Sequence, residues 1–466
     1  MKKAKRITAL LVILTLVFAL AACNAKAPEL TGSGGGTGSD SSNDAVSDAV
    51  SDAGSVDTGS NQQSSAPDTA ADGIEPGASL IYWSMWSETE PQAIVIAEAA
   101  KAFEAQTGVS VKINFNGRQL QRDGLEPALS AGEAIDLFDE DIDRVSRTWS
   151  PYLLTLDKYV NGIYSDTNGL PYKDLVNKSL MNLAQEKGGG SFTVIPYQPF
   201  IFTTMYNKSS FSAAGITSTP NNWEEFLDAC EKLKVSGITP MTVDNAYIYP
   251  LFGYTLSRIV GADRVADMVA RVDFSDPGVL RACQIWEDMI ARGYLSPRAA
   301  TNVYPEGQNA EFAMETAAIY LNGTWLPNEL NPINPDLAWG SFAWPAIDSG
   351  GDGTEAHNIG AQSYGINKST QYPNAAFAFI RWMTIGKYDQ KLANDSMGVP
   401  MANDAIWPDA LADAKAIFDS TTKPLTWAVG MEDNSEIAAS IYDGFTKMVT
   451  GTYNAQQFAD QLAALA

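Results

Sequence analysis

Trp86 and Glu88 stand just after an apolar run, and Asp139, Glu140 and Asp141 stand together just after another. Indole rings beside carboxylates suit two chemistries. They can recognise a sugar, whose apolar ring face stacks on an aromatic while carboxylates and amides take its hydroxyls. Two acids held roughly 5 Å, or about 6.5–9.5 Å, apart can instead cleave a glycosidic bond. Other chemistries find less support. His357 is the only histidine, which leaves little room for a His-rich metal site. Gln362-Ser363-Tyr364-Gly365 lacks the first glycine of a nucleophile elbow, because Ala361 stands there. Asp139-x-Asp141-x-Asp143 begins like a calcium loop, but Arg144 and Ser150 occupy the places of its glycine and its bidentate glutamate. Neither a cofactor nor a metal is expected.

The elements that must position these residues are legible nearby. Leu80 to Trp86 has the composition of a buried strand, and Ser87-Glu88-Thr89-Glu90-Pro91 reads as a helix start. That helix runs through Ile94, Ala97, Ala100 and Phe103 to Thr107-Gly108, and Val109 to Phe115 then alternates as a strand. Strand, helix and strand in so short a span form a βαβ unit with parallel strands. Leu125 to Ala131 reads as a short helix, and Ile135 to Phe138 as a third strand ending in Asp139-Glu140-Asp141. Ligands of α/β sheets bind at the carboxyl ends of such strands. Trp86, Glu88, Asp139, Glu140 and Asp141 are therefore site candidates by position alone.

The chain of 466 residues carries 55 acidic and 31 basic side chains, for a net charge of −24. Such a balance argues against nucleic acid as a partner, since phosphate contacts need clustered Lys and Arg. Lys2, Lys3, Lys5 and Arg6 precede an apolar run from Ile7 to Ala22, the layout of a signal peptide. The run ends in Leu20-Ala21-Ala22-Cys23, which resembles the lipobox of bacterial lipoproteins. That resemblance implies cleavage before Cys23, a lipid on its sulfur and anchorage at a membrane. Loss of residues 1–22 would take the net charge to −28. From Ala25 to about Gly77 the chain is rich in Gly, Ser, Asp, Ala and Thr and has no aromatic residue. Such a stretch cannot bury enough apolar surface to offset its entropy, so a tether with a reach of roughly 40 Å is expected. Cys230 and Cys283 remain, read as two packing thiols rather than a disulfide.

From Ser79 onward the motifs fall into a familiar order. Ser130-Ala-Gly-Glu-Ala-Ile-Asp136-Leu-Phe is followed by Leu154-Thr-Leu-Asp157-Lys-Tyr159-Val, Ile195-Pro196-Tyr197 and Met205-Tyr206-Asn207-Lys208. Gly215-Ile216 leads to Pro220-Asn-Asn222-Trp223-Glu-Glu-Phe226, then Gly293-Tyr294-Leu295 and Asn322-Gly323-Thr324-Trp325. Tyr364-Gly365-Ile366-Asn367-Lys368 and Gly398-Val399-Pro400 complete the series. In this order the segments resemble the carbohydrate-type bacterial extracellular solute-binding proteins, the maltose-binding-like receptors of ABC importers. Asn222 where the family often has Thr, and Glu315-Thr316 where it has Gly-Lys, are departures confined to turns.

The resemblance implies an α/β fold of two lobes with a hinge and a ligand cleft between them, crossed by the chain near Phe202–Thr204, Glu355–Asn358 and Ser396–Gly398. It places residues 78–203 and 355–396 in the first lobe and 204–354 and 397–466 in the second. The cleft would gain Tyr197, Trp325, Trp344, Gln362 and Ser363, the last two just before a strand, with Tyr247 and Tyr249 on a loop after Pro240. Trp83 and Trp223 are expected in the cores instead. The implied activity is binding of a sugar or oligosaccharide, without turnover, and its delivery to ABC permease subunits. The implied protein is a monomer, lipid-anchored on the outer side of the cell membrane of a Gram-positive bacterium. A sensing or adhesive surface lipoprotein, or a glycoside hydrolase, are the alternatives.

Overall fold

The computed structural model describes residues 72–466; the signal, Cys23 and the tether up to residue 71 lie outside the described residues. Among the described residues nine strands form one sheet: β1 (Ser79–Ser84), β2 (Ser110–Phe115), β3 (Leu137–Asp141), β4 (Val194–Asn207), β5 (Thr239–Met241), β6 (Ala317–Gly323), β7 (Trp339–Phe342), β8 (Ala356–Ile366) and β9 (Lys423–Leu425). Their order is β2-β1-β3-β8-β4-β6-β5, with β7 on β4 and β9 on β8. β1 pairs parallel with both β2 and β3, as the βαβ reading requires. β8 then runs antiparallel to β3 and β4.

The crossover helix Pro91–Thr107 starts on a proline, whose missing N–H costs nothing there, and ends at Gly108 in the left-handed region (φ 75°). The next helix spans Gly117–Ala131 rather than starting at Leu125. Its first half carries Arg118, Gln119, Arg122 and Asp123, so no apolar stripe announces it; of residues 117–124 only Gln121 is buried. Asn222 does the capping work expected of a Thr, its side chain accepting from the Glu225 N–H at 3.0 Å.

Two hydrophobic cores share this sheet. One is built from residues 78–201 and 359–418, the other from 202–356 and 425–462. β4 passes from one to the other between Ile201 and Phe202, and β8 between Ala356 and Ile359, so two long paired strands join the two cores. The third crossing lies between Phe418 and Leu425, not near Ser396–Gly398. The reason is local. Buried Asp389 accepts from the N–H groups of Met401 (2.8 Å) and Ala402 (2.8 Å), holding that stretch on the first lobe, and Met401, Ala414, Ile417 and Phe418 add to its core. In β4 the pairing slips between Tyr197 and Pro199, leaving Gln198 at φ 42°.

Cys230 and Cys283 are free and buried, on the helices Trp223–Val235 and Pro277–Ala291 of the second lobe. No helix among the described residues is long and apolar enough to cross a membrane.

Candidate functional site

The first-lobe wall is built on the ends of β1 and β3. β1 stops at Ser84, and the turn that follows presents Trp86, with Glu88 exposed beside it. The Trp86 Nε1–H donates to the Tyr197 hydroxyl at 2.8 Å, and Tyr197 in turn donates to Asp139. Asp139 also accepts from the Met85 N–H at 2.8 Å. It is fully enclosed, and burial pushes its carboxyl up to about 7. Asp139 is thus not poised to take a ligand hydroxyl as expected: both its oxygens face inward and are engaged. Glu140 is buried and held by Arg122 through two contacts (2.9 and 3.2 Å). Asp141 caps the helix Ile142–Arg147, accepting from the Asp143 N–H at 2.9 Å, and burial followed by the Asp143 charge raises it to about 7.

Gln362 and Ser363 lie inside β8 rather than before it, because β8 runs unbroken through the hinge. Gln362 is in register with Asp141 and Tyr197, and Ser363 with Glu140 and Pro196. The Gln362 Oε1 and the Ser363 Oγ are buried without a protein partner.

The second-lobe wall is aromatic. Trp325 follows β6 and is half-buried, its ring stacked on Phe202 (centroids 5.8 Å, 24°) and edge-on to Phe200 at 5.3 Å. Phe202 also meets Tyr247 at 5.1 Å and Trp427 at 4.8 Å. Tyr247 sits at the cap of the helix Ile248–Val260 and Tyr249 within it, not in a loop: Pro250 falls in the first turn, where no N–H is needed. Tyr249 looks instead to Tyr442, 6.5 Å away. Trp344 belongs to the second-lobe core. It is 2% exposed, stacked on Trp286 at 6.1 Å and packed on Phe226 at 5.4 Å, with no route to a cleft.

Residues that sequence reasoning passed over complete the site. Glu329 collects the Tyr304 hydroxyl, Asn309 (3.0 Å) and Asn322 (3.1 Å), and burial raises its carboxyl. Tyr304 lies 5.2 Å from Tyr247, and Arg118 of the first lobe acts on its hydroxyl electrostatically. Asp141 and Asp143 on one lobe, Phe200 and Asn358 on the crossing strands, and Trp427 on the other lobe line a small recess open to solvent. Trp427 follows β9 in an irregular turn, so no periodicity marks it. His357 is buried in β8, and burial depresses its imidazole to about 3, so it is neutral and no general base for the cleft.

Residues 86–384 of this chain match the family described as bacterial extracellular solute-binding protein. The chain belongs to that family. A multiple sugar-binding protein of Streptococcus mutans is 26% identical over 285 residues, covering 58% of this solute-binding protein and 65% of that one. A binding protein of Brucella abortus is 24% identical over 268 residues, covering 55% and 61%. The match thus spans less than two thirds of the length of these curated relatives. In three dimensions a chitin oligosaccharide binding protein superposes with a TM-score of 0.65 at 20% identity, over 83% of this chain and 97% of that one. The binding protein RafE in complex with raffinose superposes at 0.64 with 17% identity, over 83% and 98%. At these identities the superpositions establish a shared two-lobed solute-binding fold.

Proposed function

We propose that this solute-binding protein is a saccharide receptor that closes its two lobes on a sugar or oligosaccharide and hands it to the permease subunits of an ABC importer. The observation that carries the reading is the pairing of walls across the hinge. Half-buried Trp325 and Trp427, backed by the enclosed Phe202 and Tyr247, form an aromatic face on the second lobe, while the first lobe offers exposed Glu88 and the crossing strand β8 carries Gln362 and Ser363. A pyranose fits such a pair, ring face to the platform and hydroxyls to the polar side. The unpartnered Gln362 Oε1 and Ser363 Oγ suit the same task. The sugar named for the Streptococcus relative and the raffinose bound to RafE support this ligand class.

Closure follows from differential affinity, because only the closed form offers both walls at once. Binding without turnover is the activity of this reading. The lipid on Cys23 and the acidic tether would keep a monomeric receptor at the outer face of the membrane, within reach of the importer.

A thermal-shift screen against a glycan panel tests the proposal. A specific saccharide at 100 times its Kd should add about 2.7 kcal/mol to stability. A panel in which amino acids or polyamines stabilise and saccharides do not would refute it.

A further inference from the structure

Four side chains from separate parts of the sequence stand in one column running from the hinge to the lip of the cleft. At its base Asp139 receives the Met85 N–H on one oxygen and the Tyr197 hydroxyl on the other. Tyr197 receives the Trp86 Nε1–H at 2.8 Å. The Arg118 guanidinium lies over the Trp86 ring, 4.8 Å from its centre. The first three are at most 4% exposed, whereas the Arg118 side chain is 44% exposed.

With Asp139 ionised, above about pH 7, the hydrogen-bond directions admit one arrangement. An indole N–H only donates, so Tyr197 accepts from Trp86 and must spend its own proton on Asp139, which has to accept on both oxygens. Arg118 is fixed from two further sides. Its Nη1 bonds both oxygens of Glu90 (2.9 and 3.3 Å), and the N–H of the preceding Gly117 donates to the Trp86 carbonyl at 3.2 Å. Among the described residues the Nε–H and the second amino group make no hydrogen bond. On the second lobe, burial and then Glu329 raise the Tyr304 hydroxyl, and the Arg118 charge opposes that rise.

We infer that Arg118 is a ligand-contacting residue of the cleft, presenting its free donors to adjacent hydroxyls of a neutral saccharide, and that Asp139, Tyr197 and Trp86 are positioning residues that aim it. The inference rests on the saccharide reading above. Stacking on an indole and pairing with one carboxylate leave the guanidinium plane fixed but not used up, which is how a planar fork is made selective. A lysine would keep the charge and lose the fork.

The test is a double-mutant cycle read on a printed array of neutral oligosaccharides and, for the best binder, by calorimetry. Arg118→Ala should weaken binding about tenfold or more, and Arg118→Lys should not restore it. Tyr197→Phe should weaken it about three- to tenfold, yet cost no more than about twofold in the Arg118→Ala background, because the aiming then has nothing to aim. Additive losses, or full affinity in Arg118→Ala, would overturn the inference. Arg118 is exposed, so its variants keep the fold whatever Tyr197→Phe does.

Proton–nitrogen NMR of the unliganded protein separates this inference from the saccharide reading. Asp139→Asn, which leaves one acceptor where two are needed, should shift both the Trp86 indole and the Arg118 Nε–H resonances. If the wild type binds no glycan but these shifts occur, the saccharide reading fails and the positioning stands. If neither resonance moves, the column is overturned.

Discussion

The Trp325 ring lies across Gly323, two residues before it: a Cβ on Gly323 would come within 2.1 Å of the indole. Gly323 ends β6, so the small residue leaves the space in which the ring lies down. The Asn-Gly-Thr-Trp segment is thus a packing device as much as a motif. Phe200 does the same over Gly360 of β8, where a Cβ would lie 2.3 Å from the ring.

Gly323→Ala should force the indole off Phe202. Overpacking of this kind costs about 1–3 kcal/mol, read by urea denaturation, and saccharide affinity should fall with it. An alanine variant of unchanged stability and affinity would show the ring free to move.

Stability should carry a proton signature from Asp139. Its carboxyl is raised to about 7 by burial, against about 4 in the unfolded chain, so the folded state holds the proton more tightly between those values. The contribution is therefore most favourable below about pH 4 and declines as pH rises through 7. Asp141, Asp244 and Asp389 are raised to about 7 in the same direction. Asp139→Asn should reduce the loss of unfolding free energy between pH 5 and pH 8 relative to wild type. An identical pH slope in the variant would count against a raised Asp139.

Cys230 and Cys283 are enclosed, and burial raises both thiols. Neither should react with a disulfide reagent at pH 8 in the folded protein, and both should react after unfolding, as mass mapping would report. Labelling of either at native rates would contradict their place in the second-lobe core.

Much of the first lobe was legible because its elements announce themselves: Leu80–Trp86 and Val109–Phe115 are runs with strand composition, and Gly108 punctuates the helix between them. The site was less so. Asp139 lies in the middle of β3 rather than just beyond its end, and only the fold reveals that Tyr197, 58 positions on, turns its carboxylate inward. Trp344 carries the same residue type as Trp325, and sequence alone does not tell an enclosed core indole from a half-buried one. Arg118 and Trp427 went unremarked because their surroundings lack periodicity, and Glu329 because its partners come from three separate segments.

The anchorage proposal rests on Leu20-Ala21-Ala22-Cys23. Cys23→Ala should move the protein from the membrane fraction to the medium, or leave it unprocessed on its signal. Undiminished lipid labelling of the variant would refute it.

Binding rather than hydrolysis should be the outcome with any accepted oligosaccharide. Incubation over hours should release no new reducing ends, and sustained release would make the protein a hydrolase instead.

The most direct measurement is calorimetric titration of wild type and Trp325→Ala with the saccharide selected by the glycan panel, with circular dichroism as the folding control. Wild type should bind one saccharide per chain. Removing the ring should cost about 1–3 kcal/mol, a 5- to 150-fold weaker Kd by the scale of buried aromatic anchors, with the fold retained. Equal affinity in a folded Trp325→Ala protein would place the sugar elsewhere and contradict the aromatic platform.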